Sequence, residues 1–176
     1  MDLTALFKIS YGLYIVSSRK GEKFNGQIAN AVMQVTSEPP KIAVCINKSN
    51  LTHEFIDYSK TFSISILSKD TPLTFIGQFG FKSGRDIDKF KDVNFEIGLS
   101  GAPIIKDYTV AFVECKVLDK FDVGTHSIFI GEVINCGIFN DNEVMTYSYY
   151  YEVKKGKASK NAPTFIKENN KKGDLL

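Results

Sequence analysis

Hydrophobic and polar positions alternate with a period of two along most of this chain. In the stretch TFSISIL, Phe62, Ile64 and Ile66 alternate with Ser63 and Ser65, which predicts a strand with one apolar face and one wet face. The stretches YGLYIVSS, KIAVCIN, VAFVECKV and SIFIGEVINCGIF repeat the pattern, and AVMQVT is β-branched enough to pair with them. In VAFVECKV, the residues Ala111, Val113, Cys115 and Val117 share one face and Glu114 and Lys116 the other, so Cys115 is expected in a core and inert.

The period shifts in three places. Leu51, Phe55 and Tyr58 recur at helical spacing, so residues 51–59 read as an amphipathic helix. Thr71-Pro72 reads as a cap and first-turn pair opening a second helix over Leu73, Phe75, Ile76 and Phe79. Leu3, Leu6 and Phe7 suggest a short N-terminal helix. Glycine-rich breaks at GEKFNG, FKSGRD and GLSGAP separate the remaining elements. Six or more strands with few helices predict a mainly β protein built on a closed or partly closed antiparallel barrel. One domain over residues 1–153 is expected, followed by a basic arm over 154–176. That arm carries one apolar knot, Ala162-Pro163-Thr164-Phe165, and either packs on the barrel or frays. Its end, ENNKKGDLL, is expected to be mobile.

Composition narrows the function. A chain of 176 residues with 43% hydrophobic and 24% charged residues has the makeup of a globular domain with its own core. A net charge of +2 is too small for a nucleic-acid footprint. The start, MDLTALFKISYG, lacks the pattern of a secretory signal, and no apolar run approaches the roughly 20 residues of a membrane span. Cys45, Cys115 and Cys136 form an odd, widely spaced set that suits reduced thiols in a cytoplasmic setting. Two histidines and no CxxC pair argue against zinc or iron–sulfur sites supplied by one chain.

The chemistry most open to interpretation lies in KIAVCINKSNLTHEF. An apolar strand breaks into Asn47-Lys48-Ser49-Asn50, and Thr52 follows at the start of the helix. This is either a plain turn with a helix N-cap or an anion site built from free amides, hydroxyls and a lysine. The stretch FGFKSGRDIDKF again combines a helix end, a glycine turn and cations, which are either solvated charge or further donors for one phosphate. His53 reads as a surface residue. His126, at a strand start beside a glycine turn, is equally a satisfied turn residue or a functional one. No Walker loop or GxGxxG fingerprint occurs, which argues against a Rossmann nucleotide domain.

The ordered set KISYGLYIVSS, FNGQIAN, SEPPKIAVCINKSNLTHEF, FIGQFGFKSGRDIDKF, DVGTHSIFIGEV and YYYEVKKGKASKNAPTF resembles the flavin reductase-like, FMN-binding split-barrel family. Within it, the likeness is strongest to small ferric reductases, flavoredoxins and the flavin domain of high-molecular-weight rubredoxins. It covers nearly the whole chain; each motif alone is weak, and the order of the six makes the match specific. The resemblance implies a six-stranded Greek-key split β-barrel with short peripheral helices, a homodimer, and FMN (or FAD) bound near the subunit interface. It further implies that Cys45, Ile46, Asn47, Lys48, Ser49, Asn50 and Thr52 surround the ribityl phosphate, with Lys82 and Ser83 closing over it. Asn25, Gly26, Gln27, Ile28, Ala29 and Asn30 would then line the isoalloxazine ring.

The activity so implied is an NAD(P)H-dependent flavin or ferric reductase. Electrons would pass from a nicotinamide through bound flavin to a free flavin, a ferric chelate or a separate rubredoxin-like protein. His126 and Cys45 are the candidate catalytic pair near the acceptor. Against that stand a buried small hydrophobe and a turn residue. A flavin-binding electron carrier without nicotinamide activity uses the same motifs. A colourless oligonucleotide-binding barrel is the remoter alternative, and its aromatic-basic strand face is missing from the sequence.

Overall fold

The computed structural model describes residues 1–165. Nine strands and two α-helices follow a short 3-10 turn at Leu3–Lys8. The strands are β1 (Tyr14–Lys20), β2 (Lys23–Ala29), β3 (Val32–Ser37), β4 (Pro40–Asn47), β5 (Thr61–Leu67), β6 (Phe95–Ile97), β7 (Pro103–Ile105), β8 (Thr109–Asp122) and β9 (His126–Ile138). Helix α1 (Leu51–Ser59) connects β4 to β5, and α2 (Leu73–Gly80) follows β5. Seven strands form one antiparallel sheet in the order β2-β1-β5-β8-β9-β4-β3, and β6-β7 form a separate hairpin. The two edge strands β2 and β3 are consecutive in the chain, joined through Asn30 and Ala31, so the sheet curls back on itself. This is the mainly β, partly closed barrel of six or more strands that the alternation predicts, with seven strands in its main sheet.

Packing explains where the simple alternation misleads. Phe62 and Ile64 enter the barrel core with Val16, Val44, Ile46, Cys115 and Phe129. Each such side chain stabilises the fold by about 1.5–3 kcal/mol through removal from water. Gly131 makes room for this cluster, because a Cβ there would stand 2.7 Å from Phe62 Cζ. Ser63 and Ser65, expected on a wet face, are fully buried. The β6-β7 hairpin covers them: Ser63 Oγ donates to Pro103 O at 2.6 Å, and Ile105 N donates to Ser65 Oγ at 3.1 Å. Short hydroxyls satisfy that hairpin's backbone where a larger side chain would hold it off.

Glu114 is likewise buried rather than wet. Its carboxylate accepts from Ser100 N and Oγ at 2.9 and 2.6 Å, from Leu99 N at 3.2 Å and from Asn135 Nδ2 at 2.8 Å. Burial alone would raise its pKa, but these donors more than offset that and leave the group below the ordinary carboxylate range. The expected inert position of Cys115 holds: it is fully buried, and desolvation pushes its thiol up to about 12.

Both helices fall where the spacing places them, with altered faces. In α1 the buried side is Thr52, Phe55 and Ile56, while Tyr58 is exposed with the Lys20 ammonium 5.6 Å from its ring. In α2 the residue capping the helix is Pro72 itself, and Thr71 Oγ1 bonds Ser68 O at 2.7 Å instead of a helix amide. Ile76 and Phe79 carry the buried face, joining Leu13, Ile15 and Phe90 in a second cluster outside the barrel. Beyond a π-helical turn at Tyr149–Val153, residues 154–165 run back across the barrel. The end expected to be mobile, ENNKKGDLL, lies outside the described residues, as do Lys167, Lys171 and Lys172.

Candidate functional site

A cavity of about 470 Å³ opens where β2, the turn after β4, the end of α2 and the returning C-terminal segment meet. Such a volume lies within the usual range of cofactor pockets. Its β2 wall is Asn25, Gln27, Ile28 and Ala29, continued by Asn30, so amides and aliphatic groups share one surface. Across it stand Asn47, Ser49, Asn50, Leu51 and Thr52, and Phe79 through Gly84 form a third side. Tyr147, Tyr150 and residues Lys157 to Pro163 complete the lining.

The turn after β4 is held by its own side chains. Asn47 Oδ1 accepts from Ser49 N at 2.9 Å and from Ser49 Oγ at 2.7 Å, and Lys48 N donates to Thr125 O at 3.0 Å. Asn50 occupies the cap position of α1 with extended backbone, yet its side chain makes no capping bond. Its Nδ2 donates to Gln27 Oε1 at 3.0 Å, and its Oδ1 accepts from Asn161 Nδ2 at 2.8 Å. The amides of Leu51 and Thr52 consequently find no acceptor among the described residues. Two free amides at the positive end of a helix suit an anion. The side chain of Asn50 therefore leaves the first amides of α1 uncapped.

The implied cofactor residues separate into two groups. Asn25, Gln27, Ile28, Ala29, Asn30, Cys45, Asn47, Ser49, Asn50, Thr52, Lys82 and Ser83 all line the cavity. Three others do not. Ile46 is fully buried in the barrel core, because strand alternation sends it inward when Cys45 and Asn47 face out. Gly26 turns toward Ser17 and Phe79. Lys48 reaches away to an ion pair with Asp122. Of the other cations in FKSGRDIDK, Arg85 pairs with Glu54 at 3.3 Å, and Lys89 turns inward to line the cavity.

Cys45 and His126 border the same hollow. Both line a second recess of about 410 Å³, with Asn47, Val123, Thr125, Lys160, Ala162, Pro163 and Phe165. Cys45 belongs to both hollows, and burial raises its thiol pKa, which keeps it protonated near neutrality. His126 Nε2 lies 3.1 Å from Asn161 O, a group that only accepts, so Nε2 carries the proton. Nδ1 lies 2.8 Å from Thr125 Oγ1. His53, read as a surface residue, is half-buried instead. Its Nε2 lies 2.9 Å from Ser127 Oγ and its ring 5.1 Å from that of Phe129, and burial draws its pKa down.

Several lining residues escape sequence reasoning. Asn161 latches the C-terminal segment over the turn through Ser49 Oγ at 3.2 Å and Asn50 Oδ1. Thr164 continues that latch, accepting from Asn30 Nδ2 at 3.0 Å and donating to Tyr147 OH at 3.2 Å. Lys89 sits among cations that read as either solvated charge or phosphate donors, with no signal that it turns inward. The only signal for the latch was the apolar knot at 162–165. Among the described residues, no cluster of His, Cys, Asp and Glu could hold a metal ion, and no helix is long and apolar enough to cross a membrane.

Comparison with known proteins places this geometry in context. The model of the flavin reductase like domain family matches residues 6–156. A high molecular weight rubredoxin of Moorella thermoacetica is 52% identical over 165 residues, covering 94% of this chain and 72% of that protein. A ferric-chelate reductase (NAD(P)H) of Archaeoglobus fulgidus is 45% identical over 166 residues, covering 94% of this chain and 98% of the other. Among solved structures, an NADH:FAD oxidoreductase of Streptomyces globisporus superposes with a TM-score of 0.74 at 28% identity, over 82% of this chain and 85% of that one.

Proposed function

The chain belongs to the flavin reductase like domain family, and from that premise we propose that it is an FMN-dependent oxidoreductase. It passes electrons from NADH or NADPH through bound flavin to an acceptor. The observation that carries this is the junction, within one cavity, of an amide-and-aliphatic wall with two free helix amides. A flavin mononucleotide needs both: a slot with donors for its pyrimidine edge, and a cradle for a dianion. Bound flavin supplies the capacity to accept a hydride and to hand on electrons one or two at a time.

The chain's own residues then have definable tasks. The amides of Leu51 and Thr52, with Ser49 and Ser83 hydroxyls beside them, bind the phosphate; Lys82, exposed at the rim, adds a cation. Asn25, Gln27 and Asn30 orient the ring through amide hydrogen bonds, and Ile28 and Ala29 give it an apolar surface. The Asn161–Thr164 latch excludes water from the phosphate end. His126 and Cys45, in the adjoining recess, face the acceptor or the nicotinamide. The acceptor is a free flavin, a ferric chelate or a separate rubredoxin-like protein, a range consistent with the names of the relatives.

Residues 1–153 form the flavin-binding unit and 154–176 its arm. The protein works as a homodimer in the cytoplasm. Exposed Leu118, Phe121 and Val123 at one end of the β8-β9 ribbon, with Met33 and Val35 on β3, supply apolar surface for a partner copy. An obligate interface of this kind buries on the order of 2,000 Å² or more. The deciding experiment is anaerobic titration of the FMN-reconstituted protein with NADH and NADPH. Stoichiometric bleaching of the flavin band supports the reductase. A flavin that binds but stays oxidised under both nicotinamides leaves the electron carrier in its place.

A further inference from the structure

Lys89 is the feature of this cavity that flavin binding as described above does not use. The residue is only 5% exposed, and it lines the cavity. Nζ donates to Gly26 O and to Phe79 O, each at 3.0 Å. Among the described residues no carboxylate pairs with it. Burying an ammonium without a counter-ion is costly, and desolvation accordingly lowers its pKa to about 8.

Two carbonyls explain why the group is tolerated but not why a charge is there. Gly26 lies on the edge strand β2, and Phe79 lies in the last turn of α2, where carbonyls lack helical partners. A neutral donor would satisfy both carbonyls at lower desolvation cost. The extra positive charge has a use only if something negative comes to the cavity. A flavin that takes up two electrons and one proton gains one negative charge on its ring system, and the β2 wall is where the flavin reading places that ring.

We propose that Lys89 is a positioning and electrostatic residue for the flavin: its buried ammonium holds Gly26 and Phe79 together and favours the reduced, negatively charged cofactor over the oxidised one. The inference rests on the flavin reading and adds to it the residue that sets the cofactor's potential. Through-wall electrostatics of this kind are strong because the site is shielded from water.

The test compares full-length wild type, Lys89→Met, Lys89→Gln and Lys89→Arg, each reconstituted with FMN, by anaerobic dye-equilibrated reductive titration. Removing the charge should weaken binding of the reduced form about tenfold relative to the oxidised form. For a two-electron couple that lowers the midpoint potential by about 30 mV. The Gln variant, which keeps a donor, should fall with Met, and Arg should stay near wild type. A Met or Gln variant that binds FMN with the wild-type potential overturns the proposal and leaves Lys89 a mere clamp. If the neutral variants do not fold, the wild type decides: a midpoint at or below that of free FMN overturns the proposal, and one above it supports it. A wild type that takes up no FMN at all overturns the flavin reading itself.

Discussion

Asn25 Nδ2 donates to Thr52 Oγ1 at 2.7 Å, with both residues almost wholly buried, and the bond ties β2 to the first turn of α1. The two walls of the cavity therefore share one hydrogen bond: the ring-facing strand and the helix end with its free amides move together. Thr52→Val keeps the shape and removes the acceptor, leaving Asn25 with a buried donor unsatisfied. The expected cost is about 1–3 kcal/mol of stability, read as a fall in Tm of a few degrees. FMN affinity should fall more than riboflavin affinity, because the disturbed amides serve only the phosphate. Equal losses for the two ligands in a fluorescence titration would remove the phosphate from this turn.

Lys48 gives the opposite expectation. Its ammonium is committed to Asp122, and that contact is largely open to solvent. Lys48→Ala should change stability by less than about 1 kcal/mol and leave FMN affinity within a factor of about two. A tenfold loss of FMN, with riboflavin unaffected, would show that the lysine swings back to the anion when ligand arrives.

Glu114 makes the strongest pH prediction. Its folded pKa lies below the ordinary value of 4.5, so the unfolded chain binds its proton more readily than the folded one. The stability it contributes is therefore present above about that ordinary value and is lost as pH falls through the depressed folded value. Glu114→Gln should cost about 2 kcal/mol at pH 7 by urea denaturation, since charge-assisted bonds from Ser100, Leu99 and Asn135 are weakened. The gap between wild type and variant should narrow in acid. A constant gap from pH 7 to pH 3 would contradict the assignment.

Asn161 secures the C-terminal segment with two side-chain hydrogen bonds, to Ser49 and Asn50. Losing two bonds worth about 1 kcal/mol each should raise the flavin dissociation rate by up to about thirtyfold in Asn161→Ala. Tm should fall by no more than a few degrees, because residues 154–165 supply no side chain to either core cluster. Stopped-flow exchange of FMN against a flavin analogue measures it; an unchanged off-rate would place the latch outside the ligand's path.

Cys45 and His126 line one recess beside the main cavity. If a ferric complex is steadied there, Cys45→Ala with His126→Ala should slow ferric-chelate reduction several-fold while anaerobic flavin reduction by nicotinamide keeps its rate. A double variant that reduces ferric chelates at the parent rate removes this role and leaves the reductase itself untouched.

The sequence by itself made six of the nine strands, the two helices and the mainly β class legible, because each is written in local periodicity; β2, whose KFNG reads as a glycine break, and the short β6 and β7 were not. Phe62 and Ile64 at spacing two, or Phe55 near Leu51, signal their element without any distant partner. It also marked the turn from Asn47 to Thr52, since polar residues between a strand and a helix leave few alternatives. What lies on each side of an element depends on residues far along the chain, and folding alone brings them together. Ser63 and Ser65 look solvated until a hairpin forty residues away covers them. Glu114 looks solvated until a glycine turn folds its amides onto the carboxylate. Lys48 and Lys89 are both lysines beside a turn, and no local pattern distinguishes them. Asp122, brought in by β8, draws Lys48 out, while two bare carbonyls at the end of α2 and the edge of β2 draw Lys89 in. Charges respond to partners that sequence separation hides, whereas alternation responds to the backbone's own geometry.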